Sequence, residues 1–138
     1  MAAHIPTGTR TPSQRAGDAA EDEVALRLLA QGWTLLGRRV RAGRSELDLV
    51  ATDPGPPPSL VVVEVRWRRS RDFGLPEETV DRRKRVHLRV GVGRLLEAGR
   101  LPDGTNLPDL PIRLDLVVVE PPARPGGSVR IRHHRGIG

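Results

Sequence analysis

The sequence predicts an α/β protein built in the order helix, strand, strand, strand, helix, strand. Three observations carry that prediction. Ala20, Val24 and Leu28 repeat at helical spacing before the first strand-like run. Three apolar segments, 33–41, 46–51 and 60–67, then follow in close succession. A second helical stripe through Lys84, Leu88, Val92, Leu95 and Leu96 precedes a last apolar run at 112–120. The 138 residues fit one domain.

Residues 1–10 are expected to be a disordered tail. The first helix starts where Thr11-Pro12-Ser13-Gln14 offers an N-cap, a proline at the first helical position and a capping-box glutamine. It runs to about Gln31, with Gly32 as terminator. Glu21 precedes Val24, Ala25 and Leu28 by three, four and seven residues, so it lies on or beside the apolar face. The first strand, WTLLGRRVR, is weakened by Gly37. In the second, strict alternation puts Leu47, Leu49 and Ala51 on one face and Glu46, Asp48 and Val50 on the other. The TDPGPPPS loop is stiffened by proline. In the third, Leu60, Val62, Glu64 and Arg66 share a face, opposite Val61, Val63, Val65 and Trp67. The second helix takes Asp81 as N-cap and ends near Ala98, before Gly99. Gly91 and Gly93 cost it about 1 kcal/mol each relative to alanine. Residues 11–120 form the domain; 121–138 are a Pro/Gly linker and basic tail, in which SVRIRHH is either an edge strand or disordered.

The net charge is +6 and the pI about 11.4, which favours a polyanionic partner such as nucleic acid over a solvated basic surface alone. Arginine supplies all of the basic side chains except one, Lys84, so that lysine stands out. With no cysteine, disulfides and thiolate metal sites are excluded. There is no apolar run of membrane-spanning length and no apolar signal-peptide core, so a cytoplasmic protein is expected.

Glu46, Asp48 and Glu64 are the candidates for chemistry. An antiparallel register that pairs Val50 with Val62 also brings Asp48 opposite Glu64 and Glu46 opposite Arg66. Like charges directly opposite destabilise a sheet, so a positive group is expected there. Mg²⁺, Arg66 and Lys84 each meet that need, and an ion-pair network without metal is the plainer alternative.

Gly17-x-x-Ala20-Glu21-x-x-Val24, Gly32-Trp33, Ser45-Glu46-Leu47-Asp48-Leu49, Glu64-Val65-Arg66-x-Arg68, Phe73-Gly74-x-Pro76-Glu77 and Lys84 occur in that order, followed by Arg113-Leu114-Asp115. Over about residues 15–120 this pattern resembles the uncharacterised bacterial YraN-type family. That family belongs to the restriction-endonuclease-like, PD-(D/E)xK, nuclease superfamily and is akin to Holliday-junction resolvases. The resemblance implies a three-layer sandwich around a mixed sheet and Mg²⁺- or Mn²⁺-dependent phosphodiester hydrolysis on DNA, with branched structures among the substrates. It implies Asp48, Glu64 and the Val65 carbonyl as metal ligands, with Glu21 close by. It also implies a homodimer by analogy. Two positions depart from the pattern: Ser45 stands at a usual glycine, and Arg66 at the signature lysine. Arginine is permanently protonated; it can bind phosphate but cannot act as a base, and Lys84 is a candidate to supply part of the missing role. A non-catalytic nucleic-acid-binding protein on the same fold is therefore the second reading, and an adaptor for an acidic protein the third.

Arg66, Arg68, Arg69 and Arg71 form one basic cluster, and Arg82, Arg83 and Arg85 another. Their expected role is phosphate-backbone binding without sequence readout. Few aromatics argue against a base-stacking platform. His4, His87, His133 and His134 show no ligand partner at recognisable spacing.

Overall fold

The computed structural model describes residues 11–68 and 82–137. Helix α1, Pro12–Ala30, begins with the expected capping box. The Gln14 N–H donates to the Thr11 hydroxyl at 3.1 Å, and the Thr11 N–H donates to the Gln14 side chain at 2.8 Å. The helix stops at Gln31, and Gly32 follows at φ +88°. Strands β1 (Thr34–Ala42), β2 (Ser45–Asp53) and β3 (Ser59–Trp67) come next, then helix α2 (Arg82–Ala98), β4 (Ile112–Glu120) and β5 (Arg130–His134).

The five strands form one mixed sheet in sequence order. β3 and β4 are parallel and every other neighbouring pair is antiparallel. The crossover that this parallel pair demands is made by α2. α1 covers one face, where Ala20, Val24 and Leu28 pack with Leu49, Ala51, Val61, Val63 and Val117. α2 covers the other, where Leu88 and Leu95 pack with Val40, Leu47, Val50, Leu60 and Val62. The result is the expected three-layer α/β sandwich. β3 is apolar on both sides because its side chains enter both clusters, Val61 and Val63 on the α1 side and Leu60 and Val62 on the other. Among the described residues, no helix is long and apolar enough to cross a membrane.

Several details differ from simple patterning. Leu47 packs with the α2-side cluster and not with Leu49, because alternation along β2 breaks at Asp48, just where its ladder with β3 ends. Leu96 is exposed at 42%, since the stripe that α2 presents to the sheet narrows to Leu88 and Leu95 with Val92 half-buried beside them. Gly37 marks a register shift in β1; a Cβ there would meet Val40 Cγ2 at 2.9 Å and Leu101 Cδ1 at 3.1 Å. SVRIRHH supplies the edge strand β5, held antiparallel on β4 from Leu116↔His134 to Glu120↔Arg130. The tail at 1–10 and the Asp81 cap lie outside the described residues.

The two α2 glycines have opposite roles. A Cβ at Gly91 would stand 2.8 Å from Ser45 Cβ and 3.3 Å from Leu47 Cδ2, so this glycine lets the helix close onto β2. Around Gly93 nothing lies within 4 Å. Gly93→Ala should raise stability by up to about 1 kcal/mol through helix propensity. Gly91→Ala should lower it by about 1–3 kcal/mol through overpacking. Urea unfolding midpoints that shift in the same direction would contradict this assignment.

Candidate active site

The β2–β3 ladder runs from Asp53↔Ser59 to Leu49↔Val63, including the expected Val50↔Val62 pair, and stops there. At the next position Asp48 turns its carboxylate to the neighbouring strand, where Oδ2 accepts the Val65 N–H at 2.8 Å. A side chain thus satisfies the first backbone donor beyond the ladder. The two strands part around Asp48 and Glu64, so Glu46 and Arg66 do not form the next rung. Glu46 is exposed and faces Arg41 across the β1–β2 ladder instead.

Glu64 is buried, on the β3 face that α2 covers. Lys84 reaches it from the first turn of α2, with Nζ 3.4 Å from Oε1. Arg66, two residues along β3, places Nε 3.8 Å from the same oxygen. That Arg66 nitrogen is buried and makes no hydrogen bond among the described residues. The half-buried Asp48 carboxyl is pushed up to about 7, first by burial and then by the Glu64 charge. The Val65 N–H and the Lys84 charge pull it the other way without prevailing.

Glu21 stands on α1 beside this pair. Burial, and then the Asp48 charge, raises its carboxyl above the ordinary range, while Arg39 and Arg38 oppose the shift. Arg39 Nε lies 3.3 Å from Glu21 Oε1, and Arg38 Nη2 lies 3.6 Å from it. Arg38 also pairs with Asp22 at 2.7 Å, and Arg39 with Asp18. Neighbouring residues on a regular strand point to opposite faces. Here both turn to α1, and Arg39 has φ +49°, where that alternation breaks.

The structure therefore brings together Glu21, Asp48, Glu64, Val65, Arg66 and Lys84. The donor set is all hard oxygen, with two carboxylates converging and the Asp48 carboxyl raised first by burial and then by Glu64. Mg²⁺ and Mn²⁺ suit such a set, since Mg²⁺ is held by one or two carboxylates and keeps several waters. Among the described residues no three acidic or histidine side chains meet as a ligand cluster; Glu21 stands beside the pair. Of the basic clusters, Arg68 is half-buried and its N–H donates to the Val119 carbonyl at 3.0 Å, while Arg83 and Arg85 are exposed on α2. Arg69, Arg71 and the side chain of Arg82 lie outside the described residues.

A second charged cluster escaped the reading of the sequence. Asp115, fully buried, accepts from Arg113 Nε at 2.8 Å and Nη2 at 3.0 Å and from the Gly136 N–H at 3.0 Å, and it lies 2.8 Å from His133 Nε2. Arg113 also bonds Asp53 at 2.9 Å. This knot ties β2, β4 and β5 on the α1 side, with Arg113 over Trp33; Asp115 stands opposite Val63, one residue before Glu64 in β3. His133 has a partner after all, contributed by the strand that its own strand pairs with. The alternating Arg113-Leu114-Asp115 was the available clue. Ser45 likewise finds His87 Nε2 at 3.2 Å.

The class so defined is a three-layer α/β protein whose two central antiparallel strands part around a carboxylate pair flanked by cations. The chain belongs to the uncharacterised protein family UPF0102, whose family model matches residues 20–119 and so covers every side chain at this site. This is the YraN-type family indicated by the motifs. The UPF0102 protein of Symbiobacterium thermophilum is 39% identical over 120 residues, 87% of this chain and 92% of its own length. That of Roseiflexus castenholzii is 38% identical over 82% of each chain. Among solved structures, Pyrococcus furiosus SfsA in complex with Ca²⁺ is matched at 16% identity and a TM-score of 0.39, over 88% of this chain and 63% of that one.

Two outcomes are expected from the charges. A carboxyl raised in the folded state contributes stability below its unfolded pKa and loses it as pH rises through the folded value. Asp48→Asn keeps an acceptor for Val65 and removes that loss. In metal-free buffer it should gain about 1 kcal/mol, about 3–6 °C in melting temperature, at pH 8, and little at pH 4. For Asp115, burial raises the carboxyl, but the bonds from His133, Arg113 and Gly136 together outweigh it and the net shift is down. Its contribution is present above the unfolded pKa and is lost as pH falls through the folded one. Asp115→Asn should cost about 3–5 kcal/mol near neutrality, because Arg113 loses a buried counter-charge; urea unfolding at pH 7 measures it.

Proposed function

We propose that this protein is a Mg²⁺-dependent nuclease acting on DNA, branched structures included. The observation that carries the reading is the convergence of Asp48 and Glu64 where β2 and β3 part, with Lys84 and Arg66 at its edge. Asp48 and Glu64 would hold the ion, with the Val65 carbonyl as a further donor. Bound there, Mg²⁺ supplies polarisation of the phosphate, a more acidic attacking water and neutralisation of the leaving oxygen.

The chain's own groups have separate tasks. Arg66 keeps its proton, so its guanidinium would donate to a phosphate oxygen and to the negative charge that develops there. Lys84 adds a second positive charge from α2. Glu21, its carboxyl raised and balanced between Asp48 and Arg39, is the candidate to take the proton of the attacking water. Arg68, Arg83 and Arg85 would hold the phosphate backbone, the role also expected of Arg69, Arg71 and Arg82.

One observation favours a second reading, a nucleic-acid-binding protein without catalysis. Glu64 already has two cations beside it, and one of them occupies the signature lysine position. The two readings separate on labelled four-way junctions, flaps and plain duplex incubated with Mg²⁺, Mn²⁺ or EDTA. The nuclease reading expects cleavage with metal, none with EDTA, none from Asp48→Ala, and a loss of about 100-fold or more from Arg66→Ala. Binding without cleavage under every condition supports the second reading. Failure to bind DNA or RNA removes both.

A further inference from the structure

Beyond the β1–β2 hairpin lies a cleft of about 470 Å³ that none of the roles above uses. Arg41, Arg94 and Arg100 line it, together with apolar Leu95, Leu101 and Pro102, and no carboxylate does. Many arginines of this chain are already committed: Arg38 and Arg39 to α1, Arg66 to Glu64, Arg113 to Asp53 and Asp115, Arg132 to Glu120. Arg41, Arg94 and Arg100 pair with no acid among the described residues. Glu46 stands opposite Arg41 in the ladder but does not line the cleft. Three arginines are therefore gathered without an ion pair to any described acid, although Asp103 lines an adjoining pocket with Arg41.

Local structure fixes all three. Arg94 crosses the hairpin at Gly43, where φ is +64° and a Cβ would stand 2.4 Å from Arg94 Cδ and 2.7 Å from Nε. Any side chain at 43 would push Arg94 out of place. Arg100 follows the helix-ending Gly99 in a loop that bonds to itself: the Leu101 N–H donates to Thr105 O at 2.8 Å, and the Leu107 N–H to Gly99 O at 3.0 Å. Arg41 is held in β1 by its ladder.

We propose that this cleft is a phosphate-binding subsite for the nucleic acid engaged at the acidic site; it rests on the nucleic-acid reading above. Guanidinium forks match phosphate oxygens in pairs, and three of them in a cleft lined by no carboxylate favour a polyanion. No aromatic side chain lines the cleft, so it grips backbone without stacking bases. Arg94 lies ten helical steps beyond Lys84, about 15 Å at 1.5 Å each. That span is about four steps of one duplex strand at 3.4 Å each. A duplex arm held at Glu64 can therefore reach the cleft, which extends the footprint along α2.

The test uses the full chain, a fluorescein-labelled 20-base-pair duplex and a four-way junction, in EDTA so that nothing is cut. Fluorescence anisotropy is read across a salt series. Two triple variants remove equal charge: Arg41→Gln/Arg94→Gln/Arg100→Gln in the cleft, and Arg15→Gln/Arg27→Gln/Arg124→Gln on exposed surface elsewhere. The cleft triple should weaken binding about 10-fold or more and flatten the log–log salt slope by about 2–3, at 0.9 per lost phosphate contact. The control triple should change affinity less than about 3-fold, the scatter expected of unspecific surface charge. Gly43→Ala, which removes no charge, should weaken binding in the same direction by displacing Arg94. Single Arg94→Gln and Arg100→Gln variants carry the comparison if the triple does not fold. Equal losses from the two triples, or none from the cleft triple while wild type binds, overturn the subsite alone. Polyglutamate competing as well as DNA at equal charge overturns the phosphate assignment. Wild type binding no nucleic acid overturns the parent reading and the subsite together.

Discussion

The parting of β2 from β3 at Asp48 is the constraint on which the site depends. Had the ladder continued, two carboxylates would stand opposite each other on a rung, where like charges destabilise a sheet. The strands separate instead, and one Asp48 oxygen takes the Val65 N–H that the ladder would have used. Separation relieves the geometry but not the charge. The Asp48 carboxyl is raised by burial and by Glu64, and the cations at Glu64 come from two different elements, α2 and β3 itself. The site is thus assembled only when α2 has docked, and docking depends on a glycine at 91 small enough to admit Ser45 and Leu47. A fold that buries an ionisable carboxyl beside another gives up stability for it at pH values where both are charged.

Two acids within the sheet are handled differently. Asp115 is surrounded by donors from β4, β5 and the segment after β5, and its net shift is downward. That is the signature of a carboxylate serving as a structural tie. Asp48 shifts in the opposite direction, with Glu64 as its close neighbour. Burial acts on both, so the direction of the shift is decided by what surrounds each group. That contrast distinguishes a carboxylate that holds strands together from one whose charge the fold leaves unfavourable.

Much of this was legible in the residues. The capping box at Thr11 and Gln14, the alternation along β3 and the β4 bounds at 112–120 are local properties. They depend on side-chain spacing over a few residues, which tertiary packing did not override. The break at Asp48 was not legible, because strict alternation gives no sign of where one ladder stops. Leu47 was assigned to the wrong face for that reason. His133 and the Asp115 knot were missed because the partners are 18 residues apart and meet only through the pairing of β4 with β5. The Arg41–Arg94–Arg100 cleft joins three elements whose arginines look ordinary in an arginine-rich chain.

By itself the sequence determined the element order, the two-sided burial of β3, the family and the acids and bases available for chemistry. All of these follow from residue type and short-range periodicity. Only the tertiary structure decided which charges neutralise one another, because Coulombic interaction and desolvation depend on distance and burial, which spacing along the chain does not set. That is why Lys84 could be singled out as the lone lysine from the sequence, but placed 3.4 Å from Glu64 only by the fold.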